Sequence, residues 1–187
     1  MEQPPESGTF GRVELRRLRV DDAAALHAVV EGAREHLVPW MPWAAEQDLA
    51  GTTAYLAASE EGWRSGEAYG YGILCDGELA GSCGLMRRIG PGGLDIGYWL
   101  HPAWTGRGLA TTSVEALVRW AFELAGIDRV EIHHDAANTA SAAVPRRLGF
   151  TEAGREPVRG GPTAPGETGI DVTWRLLADR EGRGDRG

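Results

Sequence analysis

Leu94–Thr112 reads LDIGYWLHPAWTGRGLATT, and its two ends ask for different backbones. Leu94–Leu100 is rich in the aromatic and branched side chains that suit a strand. From Leu109 on, Ser113, Ala116, Leu117, Trp120, Ala121 and Leu124 recur at helical spacing. Between them a short loop, Thr105-Gly106-Arg107-Gly108, opens directly onto the helix. Such a junction is an anion site. The first N–H groups of a helix have no internal partner, and the helix dipole favours negative charge there. Glycines 106 and 108 let the backbone approach a ligand, and the Arg107 guanidinium suits a phosphate.

Outward from this junction the chain alternates. On the N-terminal side, residues 1–10 read as a loose tail, and Val13, Leu15 and Leu18 as a first strand. Leu26, Val29, Val30, Ala33 and Leu37 mark a helix capped by Asp21 or Asp22. Pro39-Trp40-Met41-Pro42-Trp43 cannot be regular helix. A second helix is expected from Asp48 or Thr52 to Glu61. Strands near 68–75 and 78–86 flank Asp76-Gly77, a strong two-residue hairpin signal. On the C-terminal side, 129–134 reads as a strand and 138–148 as a helix closed by Gly149. A strand begins at Phe150, 155–169 is a Gly- and Pro-rich loop, and 170–177 is the last strand. This pattern predicts an α/β (α+β) domain over 11–178, with a second tail at 179–187.

Composition narrows the chemistry. Of 187 residues, 19 are basic and 27 acidic, a net charge of −8. All the basic residues are arginine. Without lysine there is no Schiff base, no amine nucleophile and no P-loop lysine. Phosphate must then be held by backbone N–H groups, arginine or a metal. The acidic balance argues against nucleic acid as a partner. No apolar run approaches a membrane span, and Met1–Phe10 is not a signal peptide, so a cytoplasmic protein is expected. Cys75 and Cys83 form no metal motif. A two-residue turn at Asp76-Gly77 sets them about 16 Å apart, too far for a disulfide. Thr111 stands where a dinucleotide fingerprint needs its last glycine.

The loop resembles the acyl-CoA pyrophosphate motif of the GNAT acetyltransferases, [Q/R]-x-x-G-x-[G/A], with Thr105, Gly108 and Ala110 at the marked positions. Thr105 departs from the usual Gln or Arg. DIGYWLHP, Asp95–Pro102, is similar to the strand before that loop in the RimJ/RimL branch, the ribosomal-protein N-terminal acetyltransferase type. NTASAAVPRRLGF, Asn138–Phe150, is similar to that branch's N-x-x-S…L-G-F helix, and Trp40–Trp43 also matches members of it. The resemblance spans about 11–177. It implies a GNAT fold, a mixed, mostly antiparallel sheet of six to seven strands flanked by about four helices. It implies acetyl transfer from acetyl-CoA, without a metal, to a primary amine. A protein N-terminus is favoured, and a small-molecule amine or amino-acid conjugate is the alternative. A silent CoA-binding regulatory module is the reading of another class, and a homodimer is plausible by resemblance.

Carried onto this chain, the resemblance places acetyl-CoA against Thr105, Gly106, Arg107, Gly108, Leu109, Ala110 and Thr111. In the family the preceding strand bulges and splays, and its free N–H groups meet the acetyl carbonyl and pantetheine. Those positions are Tyr98, Trp99, Leu100 and His101. Asn138 is read either as a helix cap or as a CoA contact. Ser141 is the candidate to protonate the leaving thiolate, because Pro145 stands where many relatives carry a tyrosine. Pro145 also has no N–H for the Ser141 carbonyl, so the helix is expected to bend or start late. Asp95 is the candidate base, with His133 an alternative, since imidazole is the side chain that ordinarily changes charge near neutral pH. Trp40 and Trp43 either pack on the core or line the acceptor pocket with Tyr98, and Glu46 and Asp48 nearby could attract an amine.

Overall fold

The computed structural model describes residues 2–179. Among these, eight strands form one sheet and four helices cover it. The strands are β1 (Ser7–Phe10), β2 (Val13–Arg17), β3 (Ala68–Cys75), β4 (Glu78–Met86), β5 (Gly93–Leu100), β6 (Arg129–Asp135), β7 (Thr151–Pro157) and β8 (Ile170–Leu177). The helices are α1 (Ala23–Leu37), α2 (Leu49–Ser65), α3 (Leu109–Glu123) and α4 (Thr139–Arg147). The strand order is β1-β2-β3-β4-β5-β6-β8-β7, and only β5–β6 is parallel. No described helix is long and apolar enough to cross a membrane.

The strand beyond the expected six to seven is β1, which corrects the reading of 1–10 as a loose tail. The local reason is a set of anchors distant in sequence. Glu6 pairs with Arg17 and Arg19. Its carbonyl accepts from the Arg17 N–H at 2.7 Å, and the Pro5 carbonyl accepts from the Tyr71 hydroxyl at 2.9 Å. Phe10 packs edge-on against Trp120, 5.6 Å between ring centres. A Cβ at Gly8 would lie 2.7 Å from the Trp120 ring, so only glycine fits there. The expected tail at 179–187 lies outside the described residues except for Asp179.

Helical periodicity maps onto burial. Leu26, Val30, Ala33 and Leu37 of α1 are buried, as are Leu109, Ser113, Ala116, Leu117, Trp120 and Ala121 of α3. The Asp48 carboxylate caps α2 by accepting from the Gly51 N–H at 2.7 Å, and α2 runs to Ser65, past the expected Glu61. The β3–β4 turn has φ of 53° at Asp76 and 85° at Gly77, the two left-handed residues such a hairpin requires. Both cysteines are free and buried.

Candidate active site

The site begins where two strands part. β5 pairs with β6 over only three residues, Gly93–Asp95 against Arg129–Glu131. Beyond that point β5 follows β4 in unbroken register to Leu100, while β6 follows β8 to Asp135. Each strand stays with its outer partner, and a wedge opens between them. The family's bulge is absent from β5; the described irregularities lie between β3 and β4 and between β7 and β8. N–H direction alternates along a strand. The His101 N–H donates to the Ala80 carbonyl at 2.8 Å. By alternation Trp99 and Gly97 also face β4, whereas the N–H groups of Ile96, Tyr98 and Leu100 face the wedge. Of the four main-chain positions expected to meet an acyl group, only Tyr98 and Leu100 therefore point there.

At the mouth of the wedge lies the glycine loop. Gly106 and Gly108 take φ of 72° and 80°, and a Cβ at either would meet no atom within 4 Å. Left-handed backbone, not crowding, requires glycine at both positions. The first internal bond of α3 joins the Thr112 N–H to the Gly108 carbonyl at 3.0 Å. The N–H groups of Leu109, Ala110 and Thr111 are thus left for an external acceptor. Leu109's side chain is core. The Thr105 hydroxyl donates to the Pro102 carbonyl at 2.9 Å, so it does not replace the usual long side chain. Arg107 lies over the Trp104 ring at 4.9 Å. The His101 ring accepts from the Ala103 N–H at 3.1 Å and packs against Gly32 of α1, a structural placement.

Across the wedge stands α4. The Asn138 side chain accepts from the Ser141 N–H at 3.1 Å, so it caps the helix. Pro145 sits inside α4 and cannot donate to the Ser141 carbonyl. The Tyr98 hydroxyl supplies that bond, donating to the Ser141 carbonyl at 3.0 Å, and it also lies 3.2 Å from Ser141 Oγ. Burial pushes the Tyr98 phenol up to about 12, against the hydrogen bond with Ser141, so it is protonated at neutral pH. A phenol is therefore present at this helix after all, delivered from β5 rather than from residue 145. The sequence marked Tyr98 by its main chain and as a pocket wall but not its hydroxyl's place beside Ser141; the clue was the carbonyl that Pro145 leaves without a donor.

Asp95 does not join this group. It is 1% exposed, at the closed end of the wedge, and its carboxylate accepts from the Arg88 Nε at 2.5 Å. Burial raises its pKa, opposed by the Arg88 guanidinium. His133 is likewise engaged, by Asp171 at 3.0 Å and Glu131 at 3.4 Å.

A cavity of about 510 Å³ lies on the opposite side of β5 from α3, bounded by α1, α2 and strands β3–β5. Trp43, Trp99 and Tyr98 border it; Trp40, Asp95 and His133 do not. Asp48 is occupied as the α2 cap, and Glu46 is exposed away from the lining. The expected acidic attraction for an amine is therefore missing from the cavity walls.

Residues 12–151 match the acetyltransferase (GNAT) domain model. This chain belongs to the GNAT acetyltransferase family. It is 29% identical over 180 residues to YdaF of Bacillus subtilis (strain 168), whose name assigns it provisionally to ribosomal N-acetylation. That alignment covers 93% of this chain and 95% of YdaF. The fold is similar to RimL, a ribosomal L7/L12 alpha-N-protein acetyltransferase solved with coenzyme A. The TM-score is 0.83 at 26% identity, covering 95% of this chain and 99% of RimL. RimJ of Mycobacterium smegmatis, solved with a CoA disulfide, gives a TM-score of 0.79 at 25% identity over 91% of this chain and 84% of RimJ.

Proposed function

We propose that this GNAT enzyme transfers acetyl from acetyl-CoA to the N-terminal amine of a protein, with a ribosomal protein the first candidate. The observation that carries the chemistry is the wedge. It joins two outward N–H groups, an open helix N-terminus and a Tyr98–Ser141 pair in one cleft. The names of YdaF, a ribosomal N-acetyltransferase by provisional assignment, and of RimL, a ribosomal L7/L12 alpha-N-protein acetyltransferase, support the choice of acceptor.

In this reading the pyrophosphate meets the N–H groups of Gly106–Thr111, and Arg107 adds charge at the rim. The thioester enters the wedge, where the Tyr98 and Leu100 N–H groups stabilise the developing oxyanion. The amine attacks from the cavity side. A C–N bond forms, the C–S bond breaks, and the electron pair goes to sulfur. Ser141 Oγ gives its proton to the thiolate and takes one from the Tyr98 hydroxyl 3.2 Å away, and the amine's surplus proton, released to water, returns from water to Tyr98 so that both hydroxyls are restored. No metal takes part.

Three results test this. Acetyl-CoA at a hundred times its Kd, without Mg²⁺, should stabilise the protein by about 2.7 kcal/mol in a thermal-shift titration, and ATP or NAD should not. Gly108→Val should raise the acetyl-CoA KM at least tenfold and leave the acceptor KM within twofold, because a β-branched residue at φ 80° displaces the helix opening. An amine attacks only as its free base, and the cavity lining carries no carboxylate to deprotonate it. Below pH 8, kcat/KM for a peptide should rise about tenfold per pH unit, following an amine pKa near 8. Asp95→Asn should leave that limb in place; its disappearance would restore Asp95 as the base.

A further inference from the structure

The cavity has a floor built by register. Gly70 of β3 stands opposite Gly84 of β4, and Gly84 opposite Gly97 of β5. Paired residues in a sheet point to the same face, so three adjacent strands lack a side chain in one row. All three glycines border the cavity. A Cβ at Gly97 would already touch the Met86 methyl at 3.1 Å, and one at Gly70 would meet Ser59 Oγ at 2.6 Å. The walls are Leu26, Val30, Met41, Trp43, Met86 and Trp99. Trp43 and Trp99 face one another, tilted, with ring centres 6.1 Å apart. Among the described residues, no Asp, Glu, Arg or His borders this space.

The chain as a whole carries a net charge of −8, yet the cavity walls carry no charge. A cationic or acidic side chain would lose hydration there and meet no opposite charge, only neutral groups such as Gln47, Thr52 and Ser59. A Gly, Ala or Ser side chain would leave most of about 510 Å³ unfilled. An aromatic or branched aliphatic group would remove apolar surface from water on both partners and meet two tryptophan rings.

We infer that the acceptor amine is borne by a residue with a large apolar side chain, aromatic or branched aliphatic, which seats in this cavity beside the wedge. This rests on the acetyl-transfer reading above and adds the class of acceptor. Full burial of a Phe or Leu side chain corresponds to a preference of about 10–100-fold over Gly or Ser.

The test uses the full chain and one peptide series that differs only in its first residue: Gly, Ser, Asp, Lys, Leu and Phe. Release of CoA thiol is followed at saturating acetyl-CoA. The expected result is kcat/KM for Phe and Leu about 10–100-fold above Gly and Ser, carried by KM, with Asp and Lys lowest. Trp43 is 43% exposed, so Trp43→Ala should fold normally. It should raise KM for Phe and Leu about tenfold, leave Gly and Ser within twofold, and leave the acetyl-CoA KM unchanged. A flat series, or one led by Ser or Asp, overturns the apolar class while leaving N-terminal acetylation standing. An equal loss for every peptide in Trp43→Ala also overturns it. No turnover with any peptide, with acetyl-CoA still shifting the melting temperature, overturns both.

Discussion

Ser141→Ala is expected to lower kcat by about 10²–10³ while the acetyl-CoA KM stays within about twofold, measured as thiol release under saturating acceptor. The size follows from the role, since a positioned general acid contributes about 10²–10⁴. The fold should survive, because the Asn138 cap bonds to the main-chain N–H of residue 141, which alanine keeps. Tyr98→Phe tests the second half of the pair. It removes the hydroxyl 3.2 Å from Ser141 Oγ and leaves the Ser141 carbonyl without a donor, at about 1–3 kcal/mol of stability. Its kcat should fall about tenfold. The double variant should be no worse than Ser141→Ala alone, because groups acting as one unit are not additive. Pro145→Ala separates chemistry from placement. It restores a helical N–H that competes with Tyr98 for the Ser141 carbonyl, so kcat should drop several-fold although no proton donor is removed. Full kcat in Ser141→Ala would end the proposed acid role.

The parts of the site that lie in one continuous stretch were legible in the sequence. The strand–loop–helix at Leu94–Thr112 needed only glycines, spacing and the physics of a helix terminus. The N-cap at Asn138 and the hairpin at Asp76-Gly77 were equally local. What was not legible depends on register or on partners far away in the chain. The wedge exists because β5 and β6 each follow an outer strand, and no residue of either encodes that alone. The row Gly70–Gly84–Gly97 appears only once three strands are aligned. Tyr98 and Ser141 are 43 positions apart. Asp95 illustrates the converse: motif position marked it, and only the fold shows that it is buried against Arg88 at the closed end of the wedge. Trp40 and Trp43 looked equivalent in sequence, yet only Trp43 borders the cavity. β1 was missed because its apolar content is one phenylalanine, and its stability comes from Glu6, Pro5 and Gly8 contacts to distant residues.

Asp135→Asn is expected to cost about 2–4 kcal/mol, or roughly 5–15 °C in Tm, the largest stability effect predicted for a polar residue here. The carboxylate ends β6 and gathers the long β7–β8 loop around itself. Its Oδ1 accepts from the N–H groups of Ala137 and Thr168 and from the Thr168 hydroxyl, each at 2.9 Å. Its Oδ2 accepts from the Gly169 N–H at 2.8 Å and the Ile170 N–H at 3.2 Å. An amide keeps one acceptor oxygen and turns an NH₂ toward N–H groups. The effect should reach the acceptor side. The same loop donates from the Gly166 N–H to the Pro39 carbonyl at 2.9 Å, four residues before Trp43. A Cβ at Gly166 would lie 2.7 Å from that carbonyl. Gly166→Ala should therefore raise the acceptor KM several-fold without altering the acetyl-CoA KM, a split that a general loss of stability would not produce. The pH dependence has a definite sign. Burial pushes the Asp135 carboxyl up, but the N–H groups of Thr168, Ala137 and Gly169 together outweigh it and hold it at about 2, below the ordinary 3.8. A depressed folded pKa adds stability above the unfolded value, and this is lost as pH falls from about 4 toward 2. The Tm gap between wild type and Asp135→Asn should then be widest above pH 5 and narrow steadily below pH 4. A gap that stays constant from pH 5 to pH 2.5 would show that the charge on Asp135 is not what holds the loop.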